Sequence, residues 1–372
     1  MTSILFAETA YLSWLAAAKL PADELRSLLN RYHTGESVYA AFAVHPDDVA
    51  EFISSSSAAR LIRTMDPANI ARLRELVIRL QIRSVTFFDS NFPSIFSDIS
   101  DPVSILFYQG DIACLQGRII GMVGSRRASR TGLKAAESIA RDLSSNGIRI
   151  VSGFAYGIDS ACHQGCLNGR SPTIAVMGCG LDQNYPADNA SLRKHILDAG
   201  GLFLSEFAPE EKPLAANFPY RNRIISAIGE ALVLIEARIR SGSLRTVDHA
   251  LKQGKEVFVY PGEPSSPFFE GNHQLLRDGA RFFTTAGDIL EDMNWLDNQR
   301  IKVQNSDCSI PPGSVSPSET RILSLLASGT LGFEQLATES GLPPGELLSM
   351  LTVLQVRGMI ETLPGKKYQL KS

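Results

Sequence analysis

The sequence lacks a surplus of positive charge. Its 36 Lys and Arg are outnumbered by 39 Asp and Glu, for a net charge of −3. Any site for a polyanion must therefore be a local patch, which excludes a uniformly basic nucleic-acid binder. Cysteine is scarce: the 5 present (114, 162, 166, 179, 308) show no paired spacing. A disulfide framework is excluded, and reduced thiols in a cytoplasmic protein are the expectation. No basic segment leads into an apolar stretch at the start, and no run of about 18 apolar residues could span a bilayer. Two nucleotide signatures are also missing. G-x-G-x-x-G does not occur, nor does G-x-x-x-x-G-K-[ST], which argues against a dinucleotide fingerprint and a P-loop.

What is present is an ordinary globular composition, 44% hydrophobic and 20% charged, over 372 residues. That length is too great for one core, so two or three domains are expected. Residues 1–83 read as a helical accessory domain, with Leu25, Leu28 and Leu29, then Leu73, Leu76, Val77 and Leu80, at helical spacing. The stretch 54–57 reads as a polar break. From residue 84 strand-like runs begin. Strands near 119–123, 148–151, 173–177, 202–205, 231–235 and 257–260 alternate with helical patterns, the signature of parallel βαβ units. The fold class expected is α/β: a Rossmann-like, doubly wound, mostly parallel sheet within 84–303. A Pro-rich linker at 304–316 leads to a module at 317–372, whose three helices and hairpin follow winged-helix order. Its third helix, 344–357, offers Arg357 alone as a cation.

Two glycine turns dominate the α/β region: Gly121-Met122-Val123-Gly124-Ser125-Arg126 and Ser152-Gly153-Phe154-Ala155-Tyr156-Gly157-Ile158-Asp159. Each links a strand to a helix, the edge where open α/β sheets bind ligands and where helix N-termini favour anions. Around the first turn, 117–136 holds Arg118, Arg126, Arg127, Arg130 and Lys134 without an acid. A second basic stretch, Phe218-Pro219-Tyr220-Arg221-Asn222-Arg223, stands just before a helical pattern, with Lys212 in the preceding loop. Arginines bind phosphate and aromatic faces stack bases, which suits single strands. A third, 237–247, holds Arg238, Arg240 and Arg245, again without an acid, around Ser241-Gly242-Ser243. These hydroxyls and backbone donors open a helix.

Catalytic and metal readings are weaker. Asp159 and His163 share a helical face near Cys162 and Cys166, yet four ligands at suitable spacing are absent. A helix-start Asp and a packed His account for them. Glu236 ends its strand without a second carboxylate, so an ion pair with a nearby Arg is expected there. No catalytic residue, metal or cofactor is assigned.

In order, these motifs resemble the DNA-processing protein A (DprA, also called Smf) family: Val123 to Arg126, Ser152-Gly153 with Gly157-Ile158-Asp159 and His163, Gly178-Cys179-Gly180-Leu181-Asp182, Tyr185-Pro186, Ser205-Glu206, Phe218-Pro219 with Arg221-Asn222-Arg223, Glu236-Ala237 with Ser241-Gly242-Ser243, and Pro261-Gly262 with Gly271-Asn272 and Gly279-Ala280. The resemblance implies a non-enzymatic protein of natural transformation. It would bind and protect single-stranded DNA, load RecA recombinase and act as a homodimer, with an N-terminal SAM-like and a C-terminal winged-helix module. Arg126 becomes the leading phosphate ligand, supported by Lys212, Arg221 and Arg223. With the turns and basic runs read above, the full contact set expected adds Gly124, Ser125, Arg127, Ser152, Gly153, Asn222, Ser241, Gly242 and Ser243. Two departures stand out: Ala187 replaces a basic residue after Tyr185-Pro186, and the segment 85–88 lacks the Tyr-Pro that often opens the core. Two rivals remain on the residues alone, a phosphoribohydrolase-like enzyme on the same fold and a winged-helix transcription regulator.

Overall fold

The computed structural model describes residues 2–90, 92–96, 99, 101–295, 317–327, 329–342, 347, 350–351, 354–355, 359–363 and 367–370. They fall into two compact units, Met1–Leu296 and Asp297–Ser372.

The first unit begins with six helices: α1 (Thr2–Ala17), α2 (Ala22–Tyr32), α3 (Gly35–Val44), α4 (Pro46–Ala50), α5 (Ser55–Thr64) and α6 (Pro67–Leu80). Side-chain caps set several of their starts. Thr34 accepts from Ser37 N–H, Ser54 from Ser57 N–H and Asp66 from Ala68 N–H. The polar stretch expected to break the chain at 54–57 is therefore a helix start. Trp14, Leu15, Leu28, Leu61 and Val77 are buried in one cluster with Phe107 and Phe203 of the sheet and Phe154 of the turn after Ser152. The expected boundary at residue 83 thus separates elements but not cores, because the amphipathic helices bury their apolar stripes on the sheet.

Nine strands form that sheet: β1 (Arg83–Thr86), β2 (Ile105–Gly110), β3 (Ile119–Val123), β4 (Arg149–Ser152), β5 (Thr173–Val176), β6 (Leu202–Ser205), β7 (Ala231–Leu234), β8 (Glu256–Val259) and β9 (Arg281–Phe282). Their order is β1-β2-β6-β5-β4-β3-β7-β8-β9. β1 and β2 are antiparallel, as are β2 and β6; every pair from β6 to β9 is parallel. The crossovers carry α7 (Arg130–Ser145), α8 (Ile158–Leu167), α9 (Ala190–Asp198), α10 (Asn217–Ile228), α11 (Ser243–Lys252) and α12 (Glu270–Arg277), and α13 (Ala286–Asp292) follows β9. Ile120 and Met122 face one buried layer and Ile119 and Val123 the other. That period of two, apolar on both sides, explains why these strands read as unbroken apolar runs. The sheet is doubly wound and mostly parallel, as the alternation of elements indicates. From β3 the chain proceeds through β4, β5 and β6 on one side, then returns to β7 on the other. The gap between the carboxyl ends of β3 and β7 is the topological switch point.

In the second unit, α14 (Pro317–Leu326), β10 (Leu331–Gly332), α15 (Phe333–Ser340), β11 (Ile360–Leu363) and β12 (Lys367–Leu370) are described. The strand order is β10-β12-β11, antiparallel throughout. Residues 347, 350–351 and 354–355 are helical, within the expected third helix. Ile322, Leu336, Leu347, Leu351 and Ile360 form its core. The linker 304–316 and Arg357 lie outside the described residues.

Candidate nucleic-acid interface

The two glycine turns pack directly on each other. Ile158 N–H donates to Ser125 O at 3.1 Å, and Ser125 N–H donates to Glu236 O at 2.8 Å. A Cβ on Gly124 would stand 2.6 Å from Ile158 Cγ1, and one on Gly157, at φ +76°, would stand 2.3 Å from Ser125 O. These glycines bring turn against turn. Ser129 caps α7 by accepting from Gly132 N–H, while its own N–H and hydroxyl donate to Glu236 at 3.0 and 2.5 Å. Glu236 is buried. It serves the α7 start rather than the arginine ion pair expected of it, because the strand end points it at a helix N-terminus.

Between these turns, α10 and the start of α11 lies a cleft of about 640 Å³ at the switch point. Gly124, Ser125, Arg126, Arg127, Arg221 and Asn222 line it. So do Ser241, Gly242 and Ser243, together with Arg238 and Arg240. The sequence motifs after β3 and β7 and on α10 are thus brought to one place. Arg126, Arg127, Arg238 and Arg240 are exposed. Among the described residues no carboxylate lies within ion-pairing distance of these four. Arg126 lies over the Phe218 ring at 5.0 Å and Arg238 over Phe268 at 4.3 Å. Phe218 in turn meets Tyr185 at 5.4 Å, and a small recess lined by Arg126, Tyr156, Tyr185 and Phe218 adjoins the cleft. α11 starts without a side-chain cap, with Ser241 and Ser243 hydroxyls 2.7 Å apart at its mouth. The guanidinium groups beside these two hydroxyls suit an anion.

Other residues of the expected set are committed elsewhere. Arg221 is buried, and its Nη1 donates to Gly153 O at 2.9 Å and to Val176 O. Burial pushes its pKa down to about 10, the Asp159 carboxylate opposing. A Cβ on Gly153 would meet Arg221 Nη2 at 2.6 Å and Asp159 Oδ2 at 2.7 Å, so this glycine makes room for those two side chains. Arg223 corrects the expectation of an unopposed cation. It is buried, its Nη2 donates to Glu206 at 2.8 Å and its Nε to Asp101 O at 3.2 Å, away from the cleft lining. Ser152 is also buried and donates its hydroxyl to Met122 O at 2.7 Å. Lys212 is exposed but outside the cleft lining.

Asp159 and His163 are both buried. Asp159 reaches the cleft lining and accepts from Ala155 N–H at 3.3 Å. Burial raises its pKa to about 6, with Arg221 the main opposing influence. His163 Nδ1 lies 2.8 Å from Thr173 Oγ1, whose hydroxyl donates to Ile150 O, so the ring nitrogen is the donor between them. Burial, then Arg221, pushes the imidazole down to about 3. Among the described residues no group of three or more His, Cys, Asp or Glu could hold a metal. Arg238 and Arg240 were legible only as part of an acid-free run, and Asp159 only as a helix start.

A doubly wound sheet with a cationic, aromatic-edged cleft at its switch point, followed by a winged helix, defines a phosphate-binding protein of the nucleic-acid class. Residues 83–294 match the family model of DNA recombination-mediator protein A, and 310–366 that of the DprA winged helix domain. The chain belongs to the DNA recombination-mediator protein A family, also called DprA or Smf. Protein Smf of Escherichia coli is 34% identical over 276 residues, covering 73% of each chain. DNA processing protein DprA of Streptococcus pneumoniae is 39% identical over 212 residues, 57% of this chain and 74% of that one. Its crystal structure superposes with a TM-score of 0.64 at 31% identity, over 76% of this chain and 97% of that chain. DNA processing protein A of Helicobacter pylori, described for its single-stranded DNA binding mode, gives 0.52 at 28% identity, over 58% and 96%.

Proposed function

We propose that this protein holds single-stranded DNA in the switch-point cleft and acts as a recombination mediator without a catalytic step of its own. The observation that carries the reading is the set Arg126, Arg127, Arg238 and Arg240, exposed around one cleft and without carboxylate partners among the described residues. Phosphates engage these guanidinium groups, with Gly124, Ser125, Asn222 and Ser241 to Ser243 completing the cradle. Phe218 and its neighbour Tyr185 offer faces to unpaired bases. Arg221 and Gly153 act through the wall of the cleft, and Lys212 as an outlying contact. Family membership and the single-stranded DNA binding of the Helicobacter pylori relative support the ligand. A buried neutral His163 and a Glu236 engaged with Ser129 support the non-catalytic reading.

Loading of RecA onto the bound strand, homodimer formation and a cytoplasmic location complete the proposal. Among the described residues no helix is long and apolar enough to cross a membrane. Fluorescence anisotropy with single strands and duplexes of equal length tests the ligand. The expected result is clear preference for single strands, removed by substituting the four exposed arginines. Equal affinity for duplex would reject the single-strand reading. Faster RecA filament growth on strands coated with single-strand-binding protein tests mediation, and sedimentation velocity tests the dimer.

A further inference from the structure

Asp159 is the one carboxylate among the described residues lining the cleft, and the strand grip has no use for it. It stands in the first turn of α8, where Oδ2 accepts the Ala155 N–H at 3.3 Å. The charged and titratable groups that face it come from four elements. Arg221 approaches from α10, Arg126 from the turn after β3, the Ser152 hydroxyl from β4, and the Cys162 thiol from α8 itself. Arg221 cannot give Asp159 its whole charge, because Nη1 is spent on Gly153 O and Val176 O. Arg126 is the solvent-facing part of the balance: it is exposed, with its guanidinium over the Phe218 ring at 5.0 Å, where a ligand can reach it.

A phosphate arriving at Arg126 changes this balance twice. It adds negative charge to a confined space, and it draws off guanidinium charge that had favoured the carboxylate. Both effects push a proton toward Asp159. Burial already holds that carboxyl at about 6, close enough to neutrality for a modest push to matter.

We propose that Asp159 sets the affinity of the cleft: entry of a phosphodiester beside Arg126 draws protons from solvent onto its carboxylate, so strand binding and proton uptake are linked. The inference rests on the strand-binding reading. In the empty protein the ionised carboxylate compensates the buried Arg221 guanidinium, which would otherwise stand without a counter-charge. In the loaded protein it limits how tightly the strand is held above its pKa. That suits a protein that must hand its strand on.

The test is strand affinity against pH at constant salt, with the full chain and with Asp159→Asn. A pKa raised by about one unit on binding makes wild-type affinity rise about tenfold as pH falls through the titration. The Asn variant binds at alkaline pH about as tightly as wild type does in mild acid, and its profile is flatter. Groups outside the cleft are common to both proteins and so cancel in the comparison. Calorimetry on the wild type in two buffers of different ionisation enthalpy needs no variant. It should show uptake of about half a proton per protomer near pH 6.5. Affinity independent of pH, an unchanged slope in Asp159→Asn, or binding without proton uptake would each overturn the linkage while leaving strand binding intact. No binding by wild type at any pH would instead remove the strand-binding reading, and this inference with it.

Discussion

Arg221 and Arg223 stand two positions apart, which on an α-helix is a turn of about 200°. One therefore faces the cleft wall and the other the Glu206–Asp101 side. In the sequence they form an Arg-Asn-Arg stretch that looks uniform, because the helical pattern reads as starting only after it. In the structure Pro219 lies in the first turn of α10, where a missing N–H breaks no helical bond. The opposite facing of the two side chains follows from that one difference. Arg126→Ala should weaken strand binding by about 1.5–3 kcal/mol, as loss of a charge-assisted contact does, and leave the unfolding midpoint unchanged. Arg223→Ala should do the reverse. It leaves the largely buried Glu206 carboxylate unpaired, at a cost of about 3 kcal/mol in denaturant unfolding, with binding altered little in the fraction that remains folded. Equal loss of affinity in both variants would contradict this division of roles. His163 and Asp159 add a pH signature. His163 is held at about 3, below its ordinary value, so the stability it contributes is present above about 6.5 and lost as pH falls toward 3. Asp159 is held at about 6, above its ordinary value, so its contribution is present in acid and lost as pH rises to 6. The two slopes oppose each other between about pH 4 and 6. Asp159→Asn should unmask the histidine, giving a stability loss of about 1.4 kcal/mol per pH unit below pH 6, against a flatter wild-type curve. A shared slope in the two proteins would reject these ionisation assignments.

At the level of elements, the strands were the most legible part of the chain. Strands buried on both faces need apolar residues throughout, and the short β-branched runs here, spaced by helical patterns, read as strands. Their carboxyl ends then fixed where a ligand site could lie. The glycines were legible as turn residues, but their purpose was not. G-x-x-G spacing suggests backbone donors reaching toward a phosphate. Gly124 and Gly157 instead seat the β3–α7 turn against the start of α8. No local pattern records which second turn a first one will touch, since that contact depends on β3 and β4 being neighbours. Gly157→Ala is the measurement that isolates it. The substitution meets a positive φ and a carbonyl oxygen at 2.3 Å, and should destabilise the larger unit by about 2 kcal/mol or more in urea unfolding. Gly147→Ala makes the control, since φ is +82° there while nothing lies within 4 Å of an added Cβ. It should cost about 1 kcal/mol, the backbone share alone. Matching costs at the two sites would mean the turns do not brace each other.

For the whole molecule, the net charge of −3 and the proposed grip on a polyanion are reconciled by where the charges sit. Acids elsewhere keep the protein from adhering to nucleic acid indiscriminately, while the cleft gathers Arg126, Arg127, Arg238 and Arg240 with Asp159 as the lone carboxylate among the described lining residues. This arrangement was half legible. Acid-free runs after β3 and β7 identified two of the contributing segments, but their convergence required the sheet order, which places β7 beside β3 although β4, β5 and β6 intervene in the chain. Convergence has a measurable consequence. Each phosphate neutralised on a single strand releases about 0.7 of a counterion, so four contacts give log K against log salt a slope of about −3. If instead the guanidinium groups acted separately, a strand would engage one or two of them and the slope would be nearer −1. Removing Arg126 should lower the magnitude of the slope by about 0.7, and removing Arg240 should do the same, because both charges belong to one footprint. Arg223→Ala should leave the slope where it was, since that guanidinium is already neutralised by Glu206. A wild-type slope near −1, or one that Arg240→Ala does not change, would mean that the strand does not cross the switch point from the β3 turn to the start of α11.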